Sequence, residues 1–230
     1  MLDTKNHALA KIKDDRQWLP KNDSSISIKR SVVHITVPVS PENFGRERHG
    51  AETGTGIIIQ RKANRTLILT NRHVVFDGNQ QSKTIRAEFF SQPPKNNLRM
   101  RRDVKLLKSF EDKKLDIAVL EVIGTLPEDI QPLPIYSNPI ALKTDVNIIG
   151  HSANNQEQLW SVESRKISNY SKQKLQISKP KLQLGYSGSP VTDSRNQLVG
   201  IVFARDKSQQ ENLAYPMSVI LQQLRTWKVL

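Results

Sequence analysis

Twelve short β-rich runs, six on each side of a proline-rich stretch, limit what this chain can fold into more than any other feature. SVVHITVP (31–38), TGTGIIIQ (53–60), TLILT (66–70), IRAEFF (85–90), DVKLLKSF (103–110) and LDIAVLEV (115–122) make the first set. DVNIIGHS (145–152), QLWSVESRKIS (158–168), KLQISK (174–179), SPVTD (189–193), QLVGIVFAR (197–205) and NLAYPM (212–217) make the second. β-Branched and aliphatic residues dominate each run and turn formers bound it. Between the sets, PEDIQPLPIYSNP (127–139) holds four prolines, which have no N–H to give to a ladder. The expected fold is all-β, two six-stranded antiparallel barrels. Its expected parts are a polar arm over 1–28, a first barrel over 29–124, a connector over 125–139 and a second barrel over 140–230. Met217, Ile220, Leu221, Leu224 and Trp227 recur at helical spacing, so the chain should close with an amphipathic helix on the second barrel.

Composition narrows the function classes. With 230 residues the chain can bury a sizeable core, and no apolar run is long enough to span a bilayer. It has no cysteine, which removes disulfides, thiolate metal sites and a cysteine nucleophile together. The opening residues mix both charge signs without an apolar stretch, as a secretory signal would not, so the expected location is cytoplasmic, with no membrane partner. The sequons at Asn22, Asn64 and Asn169 are then chance matches. The net charge is +13, but the basic residues run the whole length of the chain. That pattern fits a solvated surface better than a dedicated nucleic-acid site, and the densest cluster is Arg99, Arg101, Arg102, Lys105 and Lys108.

Three segments carry chemistry. Leu69-Thr70-Asn71-Arg72-His73-Val74-Val75 ends an apolar run in a turn that presents a histidine. Lys114-Leu115-Asp116-Ile117-Ala118-Val119-Leu120 sets an acid at the mouth of another. Gly185-Tyr186-Ser187-Gly188-Ser189-Pro190 holds a serine between glycines. Each alone has an ordinary reading as a surface histidine, a turn aspartate or a loop. Together they supply what acyl transfer needs. A serine hydroxyl attacks only when an imidazole takes its proton, and the imidazole needs a carboxylate on its other nitrogen. The oxyanion needs preorganised N–H donors, which a glycine-flanked turn can present. Rival motifs fail: an α/β-hydrolase elbow reads G-x-S-x-G and precedes its acid and histidine, whereas here Ser189 holds the fifth place and the order is His, Asp, Ser. The histidines at 7, 34, 49, 73 and 151 include no H-E-x-x-H pair, and neither a metal nor another cofactor is expected.

TNRHVV, LDIAVL and GYSGSP, in that order, resemble the catalytic segments of the chymotrypsin-like (trypsin-like) serine peptidases. GTGIII (54–59) resembles the strand before the histidine, and QLVGIVFA (197–204) and LAYPM (213–217) the strands that line the substrate pocket. The likeness runs over about residues 30 to 228. It is nearest to the disulfide-free, HtrA-like branch, although no PDZ domain follows in this sequence. Asp116 follows His73 by 43 residues and Ser187 follows Asp116 by 71, which suits a triad split between two barrels.

The resemblance implies a serine endopeptidase with Ser187 as nucleophile, His73 as general base and then acid, and Asp116 as orienting carboxylate. The amides of Gly185 and Ser187 would form the oxyanion hole. Tyr186 stands where secreted relatives carry an aspartate that pairs with a new amino terminus, so activation by that ion pair is not expected. Ser189 replaces a common glycine. The resemblance also places a substrate pocket at Lys181, Leu182, Phe203, Ala204, Arg205 and Leu213. Two readings stay open there: an apolar pocket for small aliphatic residues, or Lys181 or Arg205 turned inward to favour an acid. The expected partner is a polypeptide substrate, together with a regulatory protein if the chain is instead a latent protease or binding domain of a larger assembly.

Overall fold

The computed structural model describes residues 25–39, 50–62, 65–90, 100–110, 115–126, 130–136, 140–153, 159–205 and 212–230. The first barrel closes in the order β1-β2-β3-β8-β7-β6. Its strands are β1 (Val32–Val39), β2 (Gly50–Lys62), β3 (Arg65–Thr70), β6 (Ile85–Phe89), β7 (Met100–Ser109) and β8 (Ala118–Val122). The second closes as β10-β11-β14-β13-β12-β9. Its strands are β9 (Asp145–Gly150), β10 (Ser161–Tyr170), β11 (Leu175–Ile177), β12 (Pro190–Thr192), β13 (Leu198–Arg205) and β14 (Asn212–Pro216). Every ladder within the two barrels is antiparallel. All twelve expected runs are strands of these barrels.

Burial on both faces explains why runs such as TLILT and GIII lack a polar alternation. Ile58, Ile68, Ala118 and Leu120 fill the first barrel. Their neighbours Ile57, Leu67, Leu69 and Val119 point outward, yet pack with Ile149, Trp160, Leu198 and Ile201 of the second. The barrels therefore share a third apolar layer between their own cores. The terminal helix, α3 (Met217–Thr226), seats Met217, Ile220 and Leu224 in that layer.

Three elements are additional to the expected ones. A helix, α1 (Ile26–Ser31), leads into β1, and residues 1–24 of the expected arm, with Asn22, lie outside the described residues. A single turn, α2 (Arg72–Val75), follows β3, and a small hairpin of β4 (Phe76–Asp77) and β5 (Gln80–Gln81) follows it. Of the connector, 127–129 and 137–139 lie outside the described residues. Arg61 ties down the described residues on either side of the first stretch by donating to the carbonyls of Leu126 (2.8 Å) and Ile130 (2.7 Å).

The basic cluster is threaded with acids. Arg101 pairs with Glu88, Lys105 with Glu121 at 3.0 Å, and Arg102 donates to the Thr125 carbonyl at 3.2 and 3.1 Å. Arg99 and the sequon Asn64 lie outside the described residues, and Asn169 is exposed on β10. None of the described helices is long and apolar enough to cross a membrane.

Candidate active site

His73 sits on α2, at the end of β3, and three side chains around it fix that turn. Arg72 is buried and donates from Nε to the Phe110 carbonyl (2.8 Å) and from Nη1 to the Gly78 carbonyl (2.9 Å). Its guanidinium lies 3.9 Å from the centre of the Phe76 ring. Asn71 donates from Nδ2 to the Asp116 carbonyl at 2.8 Å. The backbone N–H of Asp116 donates to the Tyr215 hydroxyl at 3.1 Å. Those bonds pull Leu115–Ile117 out of the ladder, so β8 begins only at Ala118 although LDIAVLEV reads as one strand.

Both carboxylate oxygens of Asp116 hold His73. Oδ1 accepts from the His73 backbone N–H at 2.9 Å and Oδ2 from Nδ1 at 2.5 Å. A carboxylate only accepts, so the proton lies on Nδ1 and Nε2 keeps its lone pair. The pair is open to solvent on one side, with His73 49% and Asp116 26% exposed, and a cavity of about 290 Å³ lies beside it. Tyr215, which faces Asp116, has its ionisation pushed upward, chiefly by burial.

The serine turn docks from the second barrel onto β2. The Thr55 N–H donates to the Ser187 carbonyl (2.8 Å), the Thr55 hydroxyl to the Gly185 carbonyl (2.9 Å), and the Thr70 hydroxyl to the Thr55 carbonyl (2.7 Å). Thr70 is three residues from His73, so these bonds bring the serine turn to the end of the strand that carries the histidine. Among the described residues, Ser187 Oγ and His73 Nε2 bond neither to each other nor to another protein group.

Two glycines make that approach possible. Gly185 has φ +97° and Gly188 φ +86°, in the region side chains avoid. A Cβ on Gly188 would stand 1.9 Å from the Thr55 carbonyl oxygen, and one on Gly185 2.3 Å from that of His151. The same turn aims its amides. The Leu184 carbonyl accepts from Ala153 N–H (2.8 Å) and the Tyr186 carbonyl from Ser189 N–H (3.0 Å). In a trans peptide the N–H points opposite to its C=O, so the amides of Gly185 and Ser187 face away from these anchors. Neither amide has a partner among the described residues.

Tyr186 takes the place of an anchoring aspartate by a different route. It is 3% exposed, its ring lies where a Cβ on Gly150 would clash at 2.5 Å, and its hydroxyl bonds to Ser161. Burial, with Glu163 alongside adding to it, pushes its ionisation up to about 12, although the Ser161 hydrogen bond opposes the shift. The folded chain therefore favours the neutral phenol. That preference contributes stability fully below pH 10.0, the ordinary value, and loses it as pH rises toward about 12. Denaturant titrations across this range should show a shallower alkaline loss of stability in Tyr186→Phe. An identical slope in both chains would remove Tyr186 as a source of it.

Of the expected pocket residues, Leu182 is buried, Lys181 is exposed, and Phe203 and Leu213 are half-buried. Phe203 bulges from β13 and stacks on Tyr215 with ring centres 3.8 Å apart. Asn212, fully buried, accepts from the Leu182 N–H (2.8 Å) and donates to the Pro180 carbonyl (3.2 Å), bracing the loop beneath. Ala204 and Arg205 lie on β13, with their side chains outside the described residues. Ser189 is fully buried, as a small residue in that turn can be. Thr55, Asn71, Arg72 and Tyr215 are site residues that sequence reasoning passed over. Their only signal was membership of the segments that carry the resemblance, Thr55 in GTGIII, Asn71 and Arg72 in TNRHVV, and Tyr215 in LAYPM.

Solved structures share the architecture. An inactive form of Rv3671c from M. tuberculosis H37Rv superposes with a TM-score of 0.66 at 19% identity, covering 90% of each chain. Its active form gives 0.65 at 18% identity, covering 89% of this chain and 84% of that one. The serine endoprotease from Yersinia pestis gives 0.64 at 18% identity, covering 98% of this chain and 67% of that one. At such identities these likenesses speak for the double-barrel fold. Family membership rests on sequence: the model for the trypsin-like peptidase domain matches residues 54–201, a span that holds His73, Asp116 and Ser187. With that match added to the fold, the chain belongs to the trypsin-like peptidase domain family, serine endopeptidases built on two β-barrels.

Proposed function

We propose that this chain cleaves polypeptides through a covalent acyl-enzyme, with His73, Asp116 and Ser187 as its triad. Ser187 Oγ attacks the scissile carbonyl carbon while its proton passes to His73 Nε2. Asp116 holds the resulting imidazolium at Nδ1. The carbonyl oxygen, now negative, is received by the N–H groups of Gly185 and Ser187. His73 returns the proton to the leaving amine as the C–N bond breaks. Water then gives a proton to the same Nε2 and attacks the ester carbon, and the bond to Ser187 Oγ breaks as His73 returns that proton to the serine oxygen.

The observation that carries this reading is the two-point clamp of Asp116 on His73, made beside a turn whose two amides diverge from pinned carbonyls and have no partner among the described residues. On the acyl side, buried Leu182 with Phe203 and Leu213 supports an apolar pocket for small aliphatic residues, and the exposure of Lys181 supports it further. A pseudoprotease would be signalled by a lost triad side chain, and none of the three is missing.

The test is a fluorophosphonate probe, which reacts only where an activated serine and an oxyanion site coincide. Mass spectrometry should find the adduct on the peptide that contains Ser187 in the folded chain and not in the heat-denatured one. A folded chain that stays unlabelled, or carries the adduct elsewhere, would rule the assignment out.

A further inference from the structure

A second cavity, of about 510 Å³, lies between the barrels next to the serine turn. One wall is the outer face of the first barrel: His34 and Thr36 on β1, Thr53 on β2, Arg86 and Glu88 on β6, and Arg101 on β7. Strand register places these side chains together. Thr36 stands opposite both Thr53 and Arg86, and Glu88 stands opposite both His34 and Arg101. Ser152 and Ala153 of the second barrel close the other wall.

The charges on this wall are unevenly matched. Glu88 is buried, paired with Arg101 and bonded to His34 Nδ1 at 3.2 Å, so its charge is already met. Arg86 is exposed and has no ion-pair partner among the described residues, Asp103 across the ladder included. The Thr53 hydroxyl is buried without a hydrogen-bond partner among them. A guanidinium of unspent charge and an unused hydroxyl, on the two strands that flank Thr36, suit a carboxylate that enters between them.

The cavity also has a defined place relative to the chemistry. Ala153 N–H holds the Leu184 carbonyl at 2.8 Å, and the Ser152 hydroxyl donates to Gln183 Oε1 at 2.5 Å, so its wall grips the N-terminal end of the serine turn. The other end is held by β13, where Gly188 N–H donates to the Val202 carbonyl at 2.9 Å. If the acyl side of a peptide pairs with β13, at one end of the serine turn, its leaving-group side passes the other end, where Ser152 and Ala153 hold Gln183 and Leu184. We propose that this cavity receives an acidic side chain from the leaving-group side of the substrate, with Arg86 as ionic partner and the Thr53 hydroxyl as donor. The proposal rests on the endopeptidase reading above.

Internally quenched peptides with a constant acyl side, carrying Glu, Gln or Lys at each of the first three leaving-group positions, test it. The unaltered chain should favour Glu over Lys at one position by about tenfold in kcat/KM, and Arg86→Ala should erase most of that preference. A p-nitroanilide with the same acyl side has no leaving-group residues, so both chains should cleave it alike. An acid preference that survives in Arg86→Ala, or is absent from both chains while the p-nitroanilide is cleaved, overturns the cavity assignment alone. Failure of the unaltered chain to cleave any of these substrates overturns the endopeptidase reading and the cavity with it.

Discussion

Ser187→Ala is expected to lower kcat on the order of 10⁶-fold while leaving the fold in place, because the hydroxyl is used in chemistry and not in packing. Its Oγ has no hydrogen-bond partner among the described residues, whereas its backbone carbonyl is held by Thr55. Alanine keeps that carbonyl and the amide aimed at the oxyanion. The turn itself depends on Gly185, Gly188 and the buried Tyr186 ring, which the change does not touch. Unfolding free energy should therefore move by no more than about 0.5 kcal/mol. Peptide turnover and denaturant unfolding on the same preparation give both numbers. Retention of more than a few per cent of turnover would take the nucleophile's role from Ser187, and a large loss of stability would show that its hydroxyl packs after all.

Much of the architecture could be read in advance, because each strand announces itself locally. β-Branched runs between turn formers need no knowledge of the partner strand, and neither does the spacing of Met217, Ile220 and Leu224. Local pattern does not say that α2 would be a single turn. Its stability comes from Arg72 reaching Phe110, 38 residues on, and from Asn71 reaching Asp116, 45 residues on. Nor does it reveal that TLILT is buried on both faces, which takes a second barrel to produce.

The site divides along the same line. His73, Asp116 and Ser187 lie in segments whose residue types are unusual together, so chemistry picks them out. Thr55 looks like any strand threonine. Its importance lies in joining Gly185, 130 residues away, to the first barrel. Tyr186 could be recognised as a departure, but its Ser161 partner and its packing on Gly150 needed coordinates. Arg86 and Glu88 drew no notice at all, since charged residues at alternate strand positions are what any solvated face shows. Cross-strand register turns them into a wall.

Asp116→Asn tests the histidine's tautomer and should be the next most damaging change after loss of the nucleophile. The two oxygens of Asp116 serve two donors, the His73 backbone N–H and Nδ1–H. Asparagine offers one oxygen and one NH₂. The backbone N–H cannot become an acceptor, so it claims the oxygen, and the NH₂ is left facing Nδ1. Nδ1 must then accept, which moves the ring proton to Nε2 and leaves no lone pair to take the proton of Ser187. The expected fall in kcat is on the order of 10⁴-fold. Structure should survive, because Asn71 and Tyr215 bind the backbone at this position and not its side chain. Proton NMR of the ring N–H gives an independent readout: its attachment should pass from Nδ1 to Nε2. A variant that keeps its turnover, or loses it with the proton still on Nδ1, would show that Asp116 does something other than hold the tautomer.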